Sequence, residues 1–204
     1  DLHDQFMNDP NTRFLAVYMF VRCFSALMEA EDIHASDMSA SPESDMKSSA
    51  LCQVDLEEGQ RRIVWDHAVA SIALSIKINR DTLPPLLPIY TRHYLVLAPH
   101  DMCYEDLELA QRDILEVFQY KLGFGSPQAF LDEIYLAMPT LRLLVGCKES
   151  WKIIENETWN CLFKAVREPD MARFPISVLT ATALKQSIIQ SLIWRFETEM
   201  QKSC

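Results

Sequence analysis

The clearest periodic pattern in the chain lies between Tyr104 and Gly123, where apolar residues recur at every third or fourth position. Residues with this spacing share one face of an α-helix. The residues on this face are Leu107, Ala110, Ile114, Leu115, Phe118 and Leu122. Because glycine commonly follows the last helical residue, Gly123 predicts the end of a helix of about five turns. The Gly-Ser-Pro segment at 125–127 then breaks the pattern before a second apolar stretch, which begins at Phe130.

Similar patterns predict further helices on both sides of this one. A polar turn at residues 8–12 precedes a helix from about Arg13. Its apolar residues occur on almost every face, as in a buried helix. The other predicted helices are a central one at 56–79, a short one within 86–98, one at 130–146 that Pro139 interrupts, and two at 151–166 and 175–196. With 4 glycines, 10 prolines and little β-type alternation, the chain is predicted to be all-α.

A long segment at residues 29–58 lacks a sustained apolar period and is rich in Ser, Asp, Glu and Met. We therefore predict an insertion or a long loop, which in a compact domain is usually functional or disordered. The segment holds nine acidic residues and one lysine, so it carries most of the net charge of −10. Ser41 precedes a proline and is a candidate site for proline-directed phosphorylation.

Several stretches of the sequence resemble the cyclin family. RDILEVFQYKL at 112–122 and FGSPQAFL at 124–131 resemble the fourth helix and the following turn of a cyclin box. LAVYMFVRCFS at 15–25 resembles the second helix of the first box, and Ser75-Ile76-Lys77, followed by Pro84-Pro85, resembles the end of its third helix. ARFPISVLTATAL at 172–184 resembles the third helix of the second box.

The resemblance implies an all-α fold of tandem cyclin-like five-helix bundles. The first box is expected to cover residues 1–126, with the acidic insertion at 29–58, and a second, degenerate box is expected to cover 127–204. Residues 1–11 show no helical pattern, so the first box is expected to lack its opening helix, which another chain could supply. The family usually has an acidic residue just before the arginine of the second helix, whereas this chain has Val21 before Arg22.

The resemblance also implies a surface that binds a cyclin-dependent protein kinase. A cyclin packs the end of its third helix, its fourth helix and the following turn against the mobile helix of the kinase. The residues at matching or adjacent positions here are Lys77, Ile78, Asn79, Gln111, Leu115, Tyr120 and Leu122. Gln111 stands where the family commonly has a glutamate that acts together with the lysine. Because a neutral amide cannot complete an ion pair, kinase recognition is expected to differ from that of a standard cyclin.

The sequence contains no motif that indicates catalysis. It has no Gly-rich phosphate loop, no His-Glu-x-x-His and no Gly-x-Ser-x-Gly, and its 6 cysteines are dispersed without metal-ligand spacing. His67, beside Asp66, is predicted to be partly buried and hydrogen-bonded rather than a catalytic base. We therefore expect a binding protein, not an enzyme, with no cofactor and no metal.

Charge and hydropathy limit the expected partners. Outside 29–58 the chain has 20 acidic and 18 basic residues, so it offers no positive field for nucleic acid. It also has no run of about eighteen apolar residues, so we expect no membrane span.

Several functional interpretations remain open from the sequence. The leading one is an atypical cyclin that activates or targets a kinase in the nucleus, or in the nucleus and cytoplasm. Its insertion weakly resembles that of the meiotic crossover-associated cyclin-like proteins, which implies a role in meiotic recombination. The alternatives are a cyclin-fold transcription or scaffold factor that binds other proteins without a kinase, and an all-α adaptor.

Overall fold

The computed structural model describes residues 6, 9–37, 49–79, 89–122 and 125–203, of which 27–37, 49–57, 169, 172, 202 and 203 are described by their backbone alone. Within these ranges the chain is helical with short turns and contains no strand, so the all-α prediction is confirmed. The chain divides into two compact units, Asp1–Leu122 and Gly123–Cys204. The domain boundary was predicted after residue 126, whereas the structure divides the chain after Leu122.

The first unit is built from two long helices, α1 (Pro10–Asp37) and α2 (Ser49–Asn79), a single turn, α3 (Arg92–Leu95), and α4 (Tyr104–Val117). Asp9 caps α1 as the turn at 8–12 predicted, because its carboxylate accepts a hydrogen bond from the Thr12 backbone N–H at 3.0 Å. Helices α1, α2 and α4 pack against one another around a buried core. The largest fully buried side chains of this core are Phe14, Tyr18, Met19, Ile76 and Ile114.

Two predictions for this unit were wrong. The segment 29–58 is not one long loop, because α1 continues to Asp37 and α2 already begins at Ser49. Ser41 lies outside the described residues. Helix α4 ends at Val117 after 14 residues, not near Gly123, because the chain turns into the left-handed region at Gln119 and Tyr120.

The second unit contains four α-helices within the described part and one 3₁₀ turn. They are α5 (Pro127–Ala137), α6 (Pro139–Val145), α7 (Lys148–Ala165), the 3₁₀ turn at Pro169–Arg173, and α8 (Ile176–Ser203). The interruption predicted at Pro139 is confirmed, because α5 ends two residues before it and α6 starts on it. One cluster of buried apolar residues in this unit consists of Leu131, Leu141, Val145, Trp151, Ile154 and Leu184.

Helix α8 is long and rich in apolar residues. By length and composition, Ile176–Gln201 could cross a membrane, but 33% of its most apolar window is buried inside the protein. A single helix of this kind is weak support for a membrane span, since core helices of water-soluble proteins have the same composition.

Candidate partner-binding surface

Lys77 and Gln111 are the centre of the candidate surface, and the structure brings them together. Lys77 lies in the last turn of α2, where a cation interacts favourably with the carboxyl end of the helix dipole. Gln111 lies on α4, which packs beside α2. The Lys77 Nζ donates a hydrogen bond to Gln111 Oε1 at 2.8 Å. The two positions that the cyclin resemblance pairs are therefore in direct contact.

A row of polar side chains on α4 continues from this contact. Tyr104, Glu108 and Gln111 are spaced by four and three residues and so lie on one face of the helix. The Tyr104 hydroxyl donates to Glu108 Oε1 at 2.6 Å, and this hydrogen bond raises the pKa of the Tyr104 phenol above its usual value. The surface thus presents an amide, a carboxylate and a phenol beside the lysine.

The ammonium of Lys77 is partly desolvated even though the residue as a whole is exposed. This desolvation lowers the pKa of Lys77 below its usual value, while the nearby charge of Glu108 acts in the opposite direction. The hydrogen bond to Gln111 uses one of the three N–H donors of the ammonium. The remaining donors can bind a carboxylate or carbonyl oxygen of a partner.

The other residues expected at this surface are apolar or aromatic. Ile78 follows Lys77 in the chain, and Leu115 lies one turn after Gln111 on α4. Ile78, Leu115 and Leu122 are half-buried, and Tyr120 is 63% exposed. Tyrosine with such exposure offers a large rigid contact area at low entropic cost, and it is enriched among the residues that dominate protein interfaces. The structure therefore exposes the aromatic side chain of Tyr120 in the turn after α4.

The conformation of this turn is unusual for its residues. Gln119 and Tyr120 have φ of 51° and 57°, in the left-handed region that favours glycine. The Tyr120 N–H donates to the Leu115 carbonyl at 2.7 Å, which closes the end of α4 and reverses the chain. Phe118, just before them, is buried and lies 6.4 Å from the Tyr18 ring of α1, measured between ring centroids. The tertiary packing of Phe118 thus helps to hold the turn that presents Tyr120.

Asn79 does not belong to the exposed surface. It is 6% exposed, its amide oxygen accepts a hydrogen bond from Asn11 Nδ2 at 3.1 Å, and its own Nδ2 donates to the Ser75 carbonyl at 3.1 Å. Asn79 therefore joins the start of α1 to the end of α2. Its inclusion among the partner-binding residues was wrong, because sequence position at a helix end does not reveal burial.

Arg22 has aromatic partners that the sequence did not indicate. Its Nη1 donates to the Tyr18 hydroxyl at 2.9 Å, and its guanidinium lies 5.2 Å from the centroid of the Phe118 ring. Arginine over an aromatic face gains a favourable cation–π interaction. Arg22 thus supports the turn after α4 even though Val21 supplies no carboxylate.

The burial and the hydrogen bond predicted for His67 are confirmed. The residue is 6% exposed, and its Nδ1 lies 2.8 Å from the Ile63 carbonyl, one turn earlier on α2. Because that carbonyl can only accept a hydrogen bond, the proton of a neutral ring is on Nδ1. Among the described residues, no group of three or more His, Cys, Asp or Glu could hold a metal ion.

Comparison of the chain with protein-family models, with curated proteins and with solved structures found no match.

Proposed function

We propose that this chain is an atypical cyclin, a regulatory subunit that binds a cyclin-dependent protein kinase through the surface around Lys77. The single observation that carries the proposal is the contact between Lys77 and Gln111, which joins the end of α2 to α4. These are the two elements that a cyclin presents to its kinase. In this proposal, the units 1–122 and 123–204 correspond to two cyclin boxes.

The chemistry of the surface suits a protein partner. Half-buried Ile78, Leu115 and Leu122 give apolar contact area, and Lys77 and Gln111 supply the polar groups that set the register of a docked helix. Interfaces of this kind derive most of their affinity from a few central anchors, here Tyr120 and Lys77. A subunit that binds the active arrangement of the kinase more tightly than the inactive one shifts the kinase toward activity.

The departures from the family favour a specialised cyclin over a standard cell-cycle cyclin. Gln111 replaces the expected glutamate, so the side chain that contacts Lys77 is a neutral amide and does not form an ion pair with it. Val21 replaces the expected acidic residue, and Arg22 instead contacts Tyr18 and Phe118. Together with the weak resemblance to the meiotic crossover-associated cyclin-like proteins, these features support a nuclear role in meiotic recombination.

The decisive experiment is capture of purified cyclin-dependent kinases by the full chain. Wild type should retain at least one member of a kinase panel, and Lys77→Glu should lose it, because the substitution places a carboxylate where a partner acid binds. Lys152→Glu, an exposed charge reversal on α7, is the matched control and should bind as wild type. Circular dichroism should show that both variants keep their helical content.

Two results would contradict the proposal in different ways. Capture of no kinase, together with a stable complex with another protein, would favour a scaffold or adaptor. Kinase capture that Lys77→Glu and Tyr120→Ala leave unchanged would support a cyclin but place its docking surface elsewhere.

A further inference from the structure

The imidazole of His67 uses one of its two nitrogens in a hydrogen bond and leaves the other without one. The residue is buried on α2, where Nδ1 donates to the Ile63 carbonyl at 2.8 Å. Its Nε2 is also buried and has no hydrogen-bond partner among the described residues. In the neutral ring this nitrogen can only accept a hydrogen bond. A buried acceptor without a donor is unfavourable.

The Nε2 of His67 faces the carboxylate of Asp113 on α4. The distance from Nε2 to Asp113 Oδ2 is 3.6 Å, which is too long for a hydrogen bond. While the ring is neutral, both atoms are acceptors, so no hydrogen bond can form between them. Imidazolium donates from both nitrogens, so a proton on Nε2 would turn this pair into a charge-assisted hydrogen bond.

We propose that His67 and Asp113 form a proton-dependent contact between α2 and α4. In the neutral state, Nε2 and the carboxylate stay apart. When the ring takes up one proton from solvent, an N–H bond forms at Nε2 and donates to Asp113, which fastens the two helices. The side chain of Asp113 is 36% exposed, so solvent reaches the pair. Histidine side chains commonly change their charge between pH 5 and 8, which makes them suited to such a contact.

On α1, the two side chains that bear on this contact are Arg22 and Cys23. Arg22 donates to the Tyr18 hydroxyl and lies over the Phe118 ring, so its guanidinium is engaged there. Cys23 is buried, and this burial, followed by the charge of Asp113, raises the pKa of its thiol to about 11. The thiol is therefore neutral between pH 5 and 8, and the charge of Asp113 acts on the interior between the helices.

A second histidine–aspartate pair joins α2 to the segment after α3. The Nε2 of His100 lies 2.9 Å from Oδ1 of Asp66, already at hydrogen-bond distance. Helix α3 itself contributes the buried Tyr94, and tyrosine phenols are neutral between pH 5 and 8. On α4, the charged neighbours of Asp113 in the chain are exposed; they are Arg112 and Glu116. The experiment must therefore separate His67 from His100.

The test is the proton affinity of each histidine, followed by the NMR signals of the imidazole rings of the full chain from pH 5 to pH 8. His67→Gln and His100→Gln assign the signals. Asp113→Asn should lower the proton affinity of His67 about 3- to 10-fold, because a partly exposed carboxylate attracts the imidazolium. Asp66→Asn is the matched control. It should act on His100 and leave the proton affinity of His67 within about twofold.

The contact should also be visible in stability. Its hydrogen bond exists only while His67 is protonated, so it stabilises the fold at low pH and is lost as the pH rises. The ratio of the unfolding constants of Asp113→Asn and wild type should therefore be about 3- to 10-fold larger at pH 5 than at pH 8. Asparagine has the size of aspartate, and circular dichroism should show that the variant keeps its helical content.

Two outcomes would overturn the contact. They are a His67 ring that stays neutral in the folded wild type down to pH 5, and a proton affinity that Asp113→Asn leaves unchanged. The inference does not depend on kinase binding, because every measurement uses the chain alone. Since α2 and α4 also carry Lys77 and Gln111, the proton would act on the same two helices as a bound partner.

Discussion

The side chain of Lys77 at the end of α2 is hydrogen-bonded to Gln111 on α4, a residue 34 positions later in the chain. The contact connects two helices whose packing forms much of the first unit. Because Gln111 is neutral, it orients the ammonium without cancelling its charge. The oriented charge is what distinguishes this surface from an ordinary lysine at a helix end.

We expect the Lys77–Gln111 contact to contribute to stability as well as to orientation. A double-mutant cycle with Lys77→Met and Gln111→Leu should give a coupling free energy of about 0.5 to 1.5 kcal/mol in urea unfolding. Lys121 and Gln119 form the matched control, because their hydrogen bond at 3.2 Å joins two exposed side chains that are close in sequence. Their cycle should give a smaller value. Equal couplings in the two cycles would show that the Lys77 contact is not specific.

Asn79→Ala should destabilise the first unit without acting on a partner directly. The substitution removes the hydrogen bond that Asn11 Nδ2 donates and leaves the Ser75 carbonyl without its amide donor. Loss of a buried amide of this kind costs about 1 to 3 kcal/mol of unfolding free energy. Asn160→Ala, at an exposed asparagine on α7, should change it by less than about 0.5 kcal/mol. If Asn79→Ala leaves the unfolding free energy unchanged, this structural role of Asn79 is wrong.

Gln119→Gly should stabilise the protein. Glycine adopts the φ of 51° found at this position without steric cost, which should add up to about 1 kcal/mol to the unfolding free energy. Gln190→Gly, inside α8, should instead lower the unfolding free energy by about 1 kcal/mol, because glycine is unfavourable within a helix. Thermal or urea unfolding of the two variants measures both values. A loss of stability in Gln119→Gly would mean that its side chain matters more than its backbone.

Asp106 should make the stability of the first unit dependent on pH. Its carboxylate accepts a hydrogen bond from the Cys103 backbone N–H at 2.9 Å, and the interactions with Cys103 lower the pKa of Asp106 below its usual value of 3.8. A lowered pKa in the folded state stabilises the protein above the unfolded-state pKa, and this contribution is lost as the pH falls through the folded value.

Wild type should therefore be more stable than Asp106→Asn at pH 7, and the difference should shrink below about pH 4. Unfolding curves from pH 7 to pH 3 give this difference directly. A difference that is constant over the whole range would contradict the role of the ionised carboxylate.

Cys23 should be unreactive while the protein is folded. The residue is fully buried, and this burial, followed by the charge of Asp113, raises the pKa of its thiol to about 11. Iodoacetamide at pH 8 should modify the exposed Cys147 first and reach Cys23 only after unfolding, because the thiolate is the reactive form. Peptide mapping by mass spectrometry distinguishes the two sites. Rapid modification of Cys23 in the native protein would contradict this packing.

The sequence predicted the described helices of the second unit closely because their signals are local. Pro139 separates α5 from α6. Proline interrupts a helix because it has no backbone N–H to donate to the preceding turn. The sequence also placed Gln111 opposite Lys77 through a family resemblance. Their contact is observed, whereas their role in kinase binding stays a prediction.

The errors arose where distant packing overrides a local pattern. Helix α4 ends before its apolar period does, because Phe118 packs against Tyr18 and the chain reverses at Gln119. The segment 29–58 lacks an apolar period, yet both of its ends are helical. Absence of periodicity indicates only that no single face is apolar.

The sequence by itself determined that the described chain is helical and where most of its helices lie, because backbone conformation follows largely from neighbouring residues. Only the tertiary structure decided which side chains are exposed. Asn79 and Lys77 are two residues apart, yet the former is buried against α1 and the latter lies at the surface. On α8, Phe196 is 65% exposed, whereas its neighbour Arg195 donates a hydrogen bond to the Leu144 carbonyl at the end of α6. Burial depends on residues distant in sequence, so no local pattern could have given it.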